Sequence, residues 1–248
     1  SVGWEISNRG IANSSFTTIV VTVVFARYFT EEICRRAGNA DLLWGFGNFA
    51  SQAVIFLTAP VLGAMADYSG AKKKFLTVAW LGCCVLTSFL YAVGPGDVVL
   101  ALVLFVLANI AYSAGENFTA SFLPEIARPE DMGRVSGYGW AWGYVGGLAS
   151  LGICYPLLLR GHRAETSLVV AAFFFLAGLP TVLFLRERKL PTPLPEGRGY
   201  IATGLAQVRD TLRHVRHFRQ LARFLVVFSL YNSGLVIVVS YGAIYAGQ

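Results

Sequence analysis

Apolar runs long enough to cross a bilayer recur along this chain, and no other feature restricts its fold so severely. A helix needs about 20 apolar residues to span the hydrocarbon. Such runs occupy about residues 11–29, 42–66, 75–93, 98–123, 135–159, 167–185 and 224–246. Only 14% of the residues are charged, against about 25% in a soluble domain. The expected fold class is therefore an all-α polytopic membrane protein. The chain starts at Ser1 and ends at Gln248 on the heels of an apolar run, so both ends read as cuts.

Charge in the intervening loops sets the orientation. If the second, fourth and sixth runs end inside, the inner loops hold Lys72, Lys73, Lys74, Arg128, Arg134 and nine more basic residues from Arg186 to Arg223. Arg9 joins them, and only Arg27, Arg35, Arg36, Arg160 and Arg163 are left for the other face. Basic residues collect on the cytoplasmic side, so the N-terminus is expected in the cytoplasm. Orientation and anionic headgroups explain the net charge of +6 without nucleic acid. Of the four cysteines, Cys83, Cys84 and Cys154 lie in apolar runs and Cys34 in a loop, with no disulfide or metal spacing.

Residues 60–74 join the second and third runs. Gly63 permits close approach of a neighbouring helix, and Gly70 can take the left-handed conformation that ends one. Asp67 sits near a helix C-terminus, where the macrodipole is already negative, so it needs a cation or another helix's N-terminus as partner. A gate contact is expected there. The pattern G-x-x-x-D-x-x-G-x-K-K resembles the loop between spans two and three of major facilitator superfamily transporters, with Gly63, Asp67, Gly70, Lys72 and Lys73 on its characteristic positions. A short inner hairpin carrying glycine and lysine for no further purpose would read the same way.

Three regions follow: a six-span bundle over 1–185, a basic cytoplasmic linker over 186–223, and the first span of a truncated second bundle over 224–248. The linker opens with Pro191, Pro193 and Pro195. Leu205, Val208, Leu212, Val215, Phe218 and Leu221 then recur at helical steps, while Arg209, Arg213, Arg216, Arg219 and Arg223 fall mostly between them. This predicts an amphipathic helix on the inner leaflet or against the inner ends of the bundle. Gly45 and Gly137 open similar segments 92 residues apart, as do Phe75 and Ser167. Three spans per unit make the second copy an inverted repeat.

In the fold that the resemblance implies, the first span of each triplet lines a central path and the third faces lipid. Span one carries Asn13, Ser14, Ser15, Thr17 and Thr18; span four carries Asn109, Tyr112, Ser113, Glu116, Asn117 and Thr119. Asn109, Tyr112 and Glu116 share one helix face. A carboxylate within a span costs about 2.5 to 3.5 kcal/mol near the centre, so it faces an aqueous cavity or a partner. Glu116 is expected either to meet substrate or a coupling proton, or to bond across to Asn13 or Arg9. Gly139, Gly143 and Gly147 form a small-residue stripe in span five, flanked by Trp140, Trp142 and Tyr144, suited to tight packing or to a hinge. Gln52, Tyr231 and Asn232 are further candidates for the path. Two glycosylation matches at Asn13 and Asn117 lie in spans and are discounted, and His214 and His217 belong to a solvated basic face. No nucleophile constellation, phosphate loop or paired catalytic carboxylates occur, so neither an enzyme nor a cofactor or metal is expected.

Several segments resemble one branch of the superfamily more closely, that of the vacuolar amino-acid effluxer of autophagy and its bacterial relatives. They are residues 8–16, 60–74, Phe122-Leu123-Pro124-Glu125-Ile126-Ala127, 134–144 and Tyr231-Asn232. The resemblance implies twelve spans in the whole protein, two six-span bundles around a cavity, and alternating access. It departs from the wider superfamily in lacking an arginine inside span four and in placing Tyr68 after Asp67.

The expected function is thus secondary active transport of small solutes such as amino acids, with a proton as one candidate for coupling. Asn13, Gln52, Asn109, Tyr112, Glu116, Asn117, Tyr144 and Asn232 would bind substrate, and Gly63, Asp67, Gly70, Lys72, Lys73 and Lys74 would gate. The partners are the lipid bilayer, a small-molecule substrate and the missing C-terminal half, in a bacterial inner membrane or a vacuolar membrane. The competing reading is a non-transporting scaffold or receptor whose linker helix recruits partners.

Overall fold

The computed structural model describes residues 13–35, 38–185, 199–214 and 219–245. Helix α1 covers 13–33, with wide π-type turns at Thr17–Val23 and Phe29–Ile33 on either side of a regular stretch, Val24–Tyr28. There follow α2 (Ala40–Tyr68), α3 (Lys72–Phe89, ending in the tighter turn Leu90–Ala92), α4 (Val98–Ile126), α5 (Met132–Leu159), α6 (Glu165–Phe184), α7 (Tyr200–His214) and α8 (Arg219–Tyr245). The helices α2 to α6 are each long and apolar enough to cross a membrane. No strand occurs among the described residues.

The helices overrun the apolar stretches. α2 begins at Ala40 and ends at Tyr68, α4 reaches Ile126, and α5 starts at Met132. A helix of 29 residues is about 43 Å long, well beyond the roughly 30 Å of hydrocarbon, so its ends stand among headgroups. The most consequential correction concerns Lys72, Lys73 and Lys74, expected in a loop: they form the first turn of α3. The linker helix, expected to run on to Leu221, is described only to His214, and Arg219 already belongs to α8. Arg9, the three linker prolines, Arg216 and His217 lie outside the described residues.

Helix pairing follows the expected repeat. α2 packs on α4, α3 on both α4 and α6, α5 on α6 and α1, and α6 also on α1. Exchanging the triplets α1–α3 and α4–α6 turns the α2–α4 pair into α5–α1 and the α3–α4 pair into α6–α1, and leaves α3–α6 unchanged. All of these pairs are made. α7 lies along α2, and α8 against α1.

Aromatic side chains fill the core where α1, α2 and α4 meet. Trp44 and Phe105 lie 4.3 Å apart by ring centroid, with Phe29 at 5.4 Å and Phe25 at 6.2 Å from Trp44. At this end Tyr28 donates to the carbonyl of Val93 (3.0 Å), and Gly96 N–H to that of Ile33 (2.9 Å). Arg163 bonds Glu31 (2.6 Å) and reaches Glu32 (3.3 Å), tying α1 to the turn before α6.

The α3–α6 seam is built on one indole. Trp80 stacks on Phe175 at 4.8 Å and donates to the carbonyl of Phe174 at 3.3 Å, while its Nε1 edge fills the notch left by Gly178. The opposite side of α3 exposes Val78, Leu81, Val85 and Phe89 at three- and four-residue steps, the apolar stripe expected of a lipid-facing span. Gly178→Val should overpack the seam and lower stability by about 1 to 3 kcal/mol. Thermal unfolding in detergent checks this, and an unchanged midpoint would show that the indole does not occupy the notch.

Candidate functional site

The polar face of α4 is spent on neighbouring helices, one residue at a time. Asn109 is buried and donates through Nδ2 to Ser51 Oγ on α2 at 2.8 Å. Tyr112 stacks on Phe16 of α1, ring centroids 4.9 Å apart and 22° from parallel. Glu116 accepts a hydrogen bond from Asn13 Nδ2 on α1. Helical spacing brings the three to one side of α4, and each meets a different partner. α1 is pressed onto α5 as well: a methyl group on Gly147 would meet Thr18 Oγ1 at 2.9 Å and Ser14 Cβ at 3.6 Å. Gly139, Gly143 and Gly147 are all buried, and at Gly147 the stripe permits close helix crossing.

Glu116 nevertheless remains exposed on the bundle surface, and Asn117, Gln52, Tyr144 and Asn232 are exposed too. Of the proposed path residues, Asn109 alone is fully sequestered. It belongs to the α2–α4 contact, and Ser51, which sequence reading did not single out, is its partner. The signal was available, since Ser51 is one of the few polar positions in this run, with Asn48, Gln52 and Thr58.

The second constellation lies where α2 turns into α3. Gly70 takes φ +58°, the left-handed conformation expected of it. Ser69 donates from Oγ to the carbonyl of Met65 (2.5 Å) and accepts from Ala71 N–H (3.1 Å), fixing the turn. Lys72 is carried inward. Its Nζ meets Glu125 Oε1 at 2.5 Å and the Ser121 carbonyl at 3.4 Å, and lies 5.8 Å from the centre of the Phe122 ring. Both side chains of the pair are less than a tenth exposed. Lys73 donates to the Leu183 carbonyl at 3.3 Å, placing a cation at the C-terminal end of α6, where the helix dipole favours one. Lys74 and Asp67 are exposed.

Two expectations about this turn need correction. Gly63 has open space around it among the described residues, so no close helix neighbour accounts for the glycine there. Lys72, assigned to the charge that marks the cytoplasmic side, is an interior side chain bound to α4. Its partner Glu125 appeared in the sequence only within a recognised segment. A lone carboxylate ending a span opposite a lysine-rich turn was the signal that could have found it. Among the described residues no group of three His, Cys, Asp or Glu could hold a metal ion.

Long apolar helices cross-linked by a few polar pairs define an all-α polytopic membrane protein. Residues 48–248 match the model of the vacuole effluxer Atg22-like family, and the chain belongs to that family. It is 24% identical over 249 residues to "Uncharacterized MFS-type transporter YxiO" of Bacillus subtilis (strain 168), a match that takes in 96% of this chain and 58% of that protein. It is 26% identical over 148 residues to autophagy-related protein 22-1 of Aspergillus niger, covering 55% of this chain and 24% of that one. A protein of Aquifex aeolicus is 28% identical over 172 residues, 69% of this chain and 42% of its own. The chain therefore spans three fifths or less of the length of these relatives. No solved structure matches it.

Removing one member of a buried ion pair leaves the other charged and dry, at a cost of about 3 to 5 kcal/mol. Lys72→Met and Glu125→Gln should each destabilise by about that amount, and Lys72→Met combined with Glu125→Met should recover most of the loss. Unfolding of the three variants in detergent tests this. Single variants as stable as the parent would show that the pair is not sequestered.

Proposed function

We propose that this chain supplies the first six-span bundle, the linker and the seventh span of a secondary transporter that moves small solutes by alternating access. The observation that carries this is the position of Glu116. It stands inside a membrane-crossing helix and yet on the exposed surface of the bundle, bonded to Asn13. A carboxylate so placed cannot be left against acyl chains, so its face borders water or further protein. A solute path between this bundle and a second one meets that requirement. Membership of a family described by vacuolar efflux supports the same reading.

Amino acids are the favoured substrate class. The Glu116 carboxylate suits an ammonium group, and the amides of Asn13 and Asn117 suit a carboxylate. Glu116 is also the proton-coupling candidate, since a carboxyl group in this setting can exchange its proton as the face opens. Asp67, exposed at the end of α2, serves as the gate residue that meets the second bundle on the cytoplasmic side.

In the full-length protein reconstituted in vesicles, Glu116→Gln should lower transport roughly ten- to a hundred-fold, the cost of one hydrogen bond to a charged group, and should flatten its pH dependence. Wild-type rates with the parent pH profile would remove Glu116 from the mechanism. Asp67→Ala should leave the melting temperature unchanged, because the side chain is exposed, while transport becomes leaky or slow. Unaltered transport would count against the gate.

A further inference from the structure

The linker helix α7 docks on α2 through its small and polar side. Thr203 and Gly204 are buried, and Gly204 sits directly on the backbone carbonyl of Pro60, so closely that no Cβ would fit. That contact leaves the apolar side of α7 pointing elsewhere. Ile201 is 64% exposed, Leu205 57% and Val208 39%, at steps of four and three residues. At 100° per residue this stripe is turned about a third of a revolution from the docking side. An amphipathic helix has therefore settled with its apolar face unburied. Arg209 and Arg213 flank that face, and both are exposed.

The depth of the contact indicates what covers the stripe. Pro60 lies about 12 Å along α2 from its end at Tyr68, at 1.5 Å per residue, where the helix passes from headgroups into hydrocarbon. α7 thus lies at the boundary of headgroups and acyl chains at the end of α2 nearer the lysine turn. α2 itself exposes Phe56 and Leu57 one turn before Pro60, so apolar surface continues from the linker helix toward the membrane interior. Arginine dominates the charge along this stretch: Arg209, Arg213, Arg216, Arg219 and Arg223 stand against Asp210 alone, with His214 and His217 among them. Arg219 and Arg223, at the start of α8, are exposed as well.

We propose that α7 is an interfacial helix that binds anionic phospholipid, with Ile201, Leu205 and Val208 seated among the acyl chains and Arg209 and Arg213 on the headgroups. The bilayer thereby holds the linker against α2 at Pro60. Each arginine near such a surface favours anionic over neutral lipid by roughly five-fold. Nothing in this assignment depends on transport.

The test uses Leu205→Cys carrying an environment-sensitive fluorophore; Cys34, Cys83, Cys84 and Cys154 are all buried. The labelled chain is placed in nanodiscs of phosphatidylcholine alone or mixed with phosphatidylglycerol. Quenching by a spin label on the lipid is compared with quenching by aqueous iodide. Strong lipid quenching that rises with phosphatidylglycerol, and that falls several-fold in Arg209→Gln with Arg213→Gln, is expected. Ile201→Cys should report the same. Iodide quenching in both lipids would mean a solvated face, and protection from both quenchers would mean that protein covers it, a second copy or the rest of the transporter. Equal lipid quenching with and without phosphatidylglycerol would remove the role of charge. Each of these three results overturns the assignment.

Discussion

Inside hydrocarbon every backbone amide and carbonyl must be paired within its own helix, because acyl chains offer no partner. The same solvent removes the drive that assembles soluble bundles, since lipid tails are as apolar as leucine. Helices so placed adhere through close packing and a small number of polar bonds. This bundle uses both. Gly147 lets α5 ride against Ser14 and Thr18, Gly178 admits the edge of Trp80, and Asn109 reaches Ser51. The apolar surface that remains, such as the Val78 to Phe89 stripe on α3, is then left to lipid.

Charge is distributed by the same logic. At one end the ion pairs of Arg163 with Glu31 and Glu32 are partly exposed, and water shares in their solvation. At the other, Lys72 and Glu125 are buried together, and removing either leaves a buried charge without its partner. The consequence is positional more than energetic. A buried pair tolerates little displacement, so the start of α3 and the end of α4 are held in register, and Lys73 extends the same hold to the end of α6. The turn at Gly70 that begins this arrangement therefore connects to three helix ends, which is what a segment must do if movement at α2 is to move the bundle as one body.

Much of this was legible in the sequence. Apolar length located α2 to α6, because about 20 residues per crossing is set by the membrane and not by the neighbours. The 92-residue offset between Gly45 and Gly137 foretold the pairing symmetry, and the i, i+3, i+7 spacing foretold that Asn109, Tyr112 and Glu116 share a face. Partners were less legible. Lysines after a span report orientation on average, and nothing in Lys72-Lys73-Lys74 distinguishes the one that turns inward; that depends on where Glu125 arrives from a span fifty residues later. The unburied stripe of α7 was invisible for the same reason. Periodicity shows that Ile201, Leu205 and Val208 share a side, but only the seat of Gly204 on Pro60 shows which way that side faces.

Glu116 was open to two readings, a structural bond to α1 or a group on the solute path, and the geometry accommodates both. A carboxylate has about four lone-pair sites, and the Asn13 amide donates to one of them. That bond fixes the orientation of the carboxyl group at the bundle surface, which is what a binding group requires. It also survives protonation, because a neutral carboxyl keeps a carbonyl oxygen able to accept from the same amide. The Asn13 contact therefore suits either reading, since it holds the carboxyl group at the bundle surface whether that group is charged or neutral.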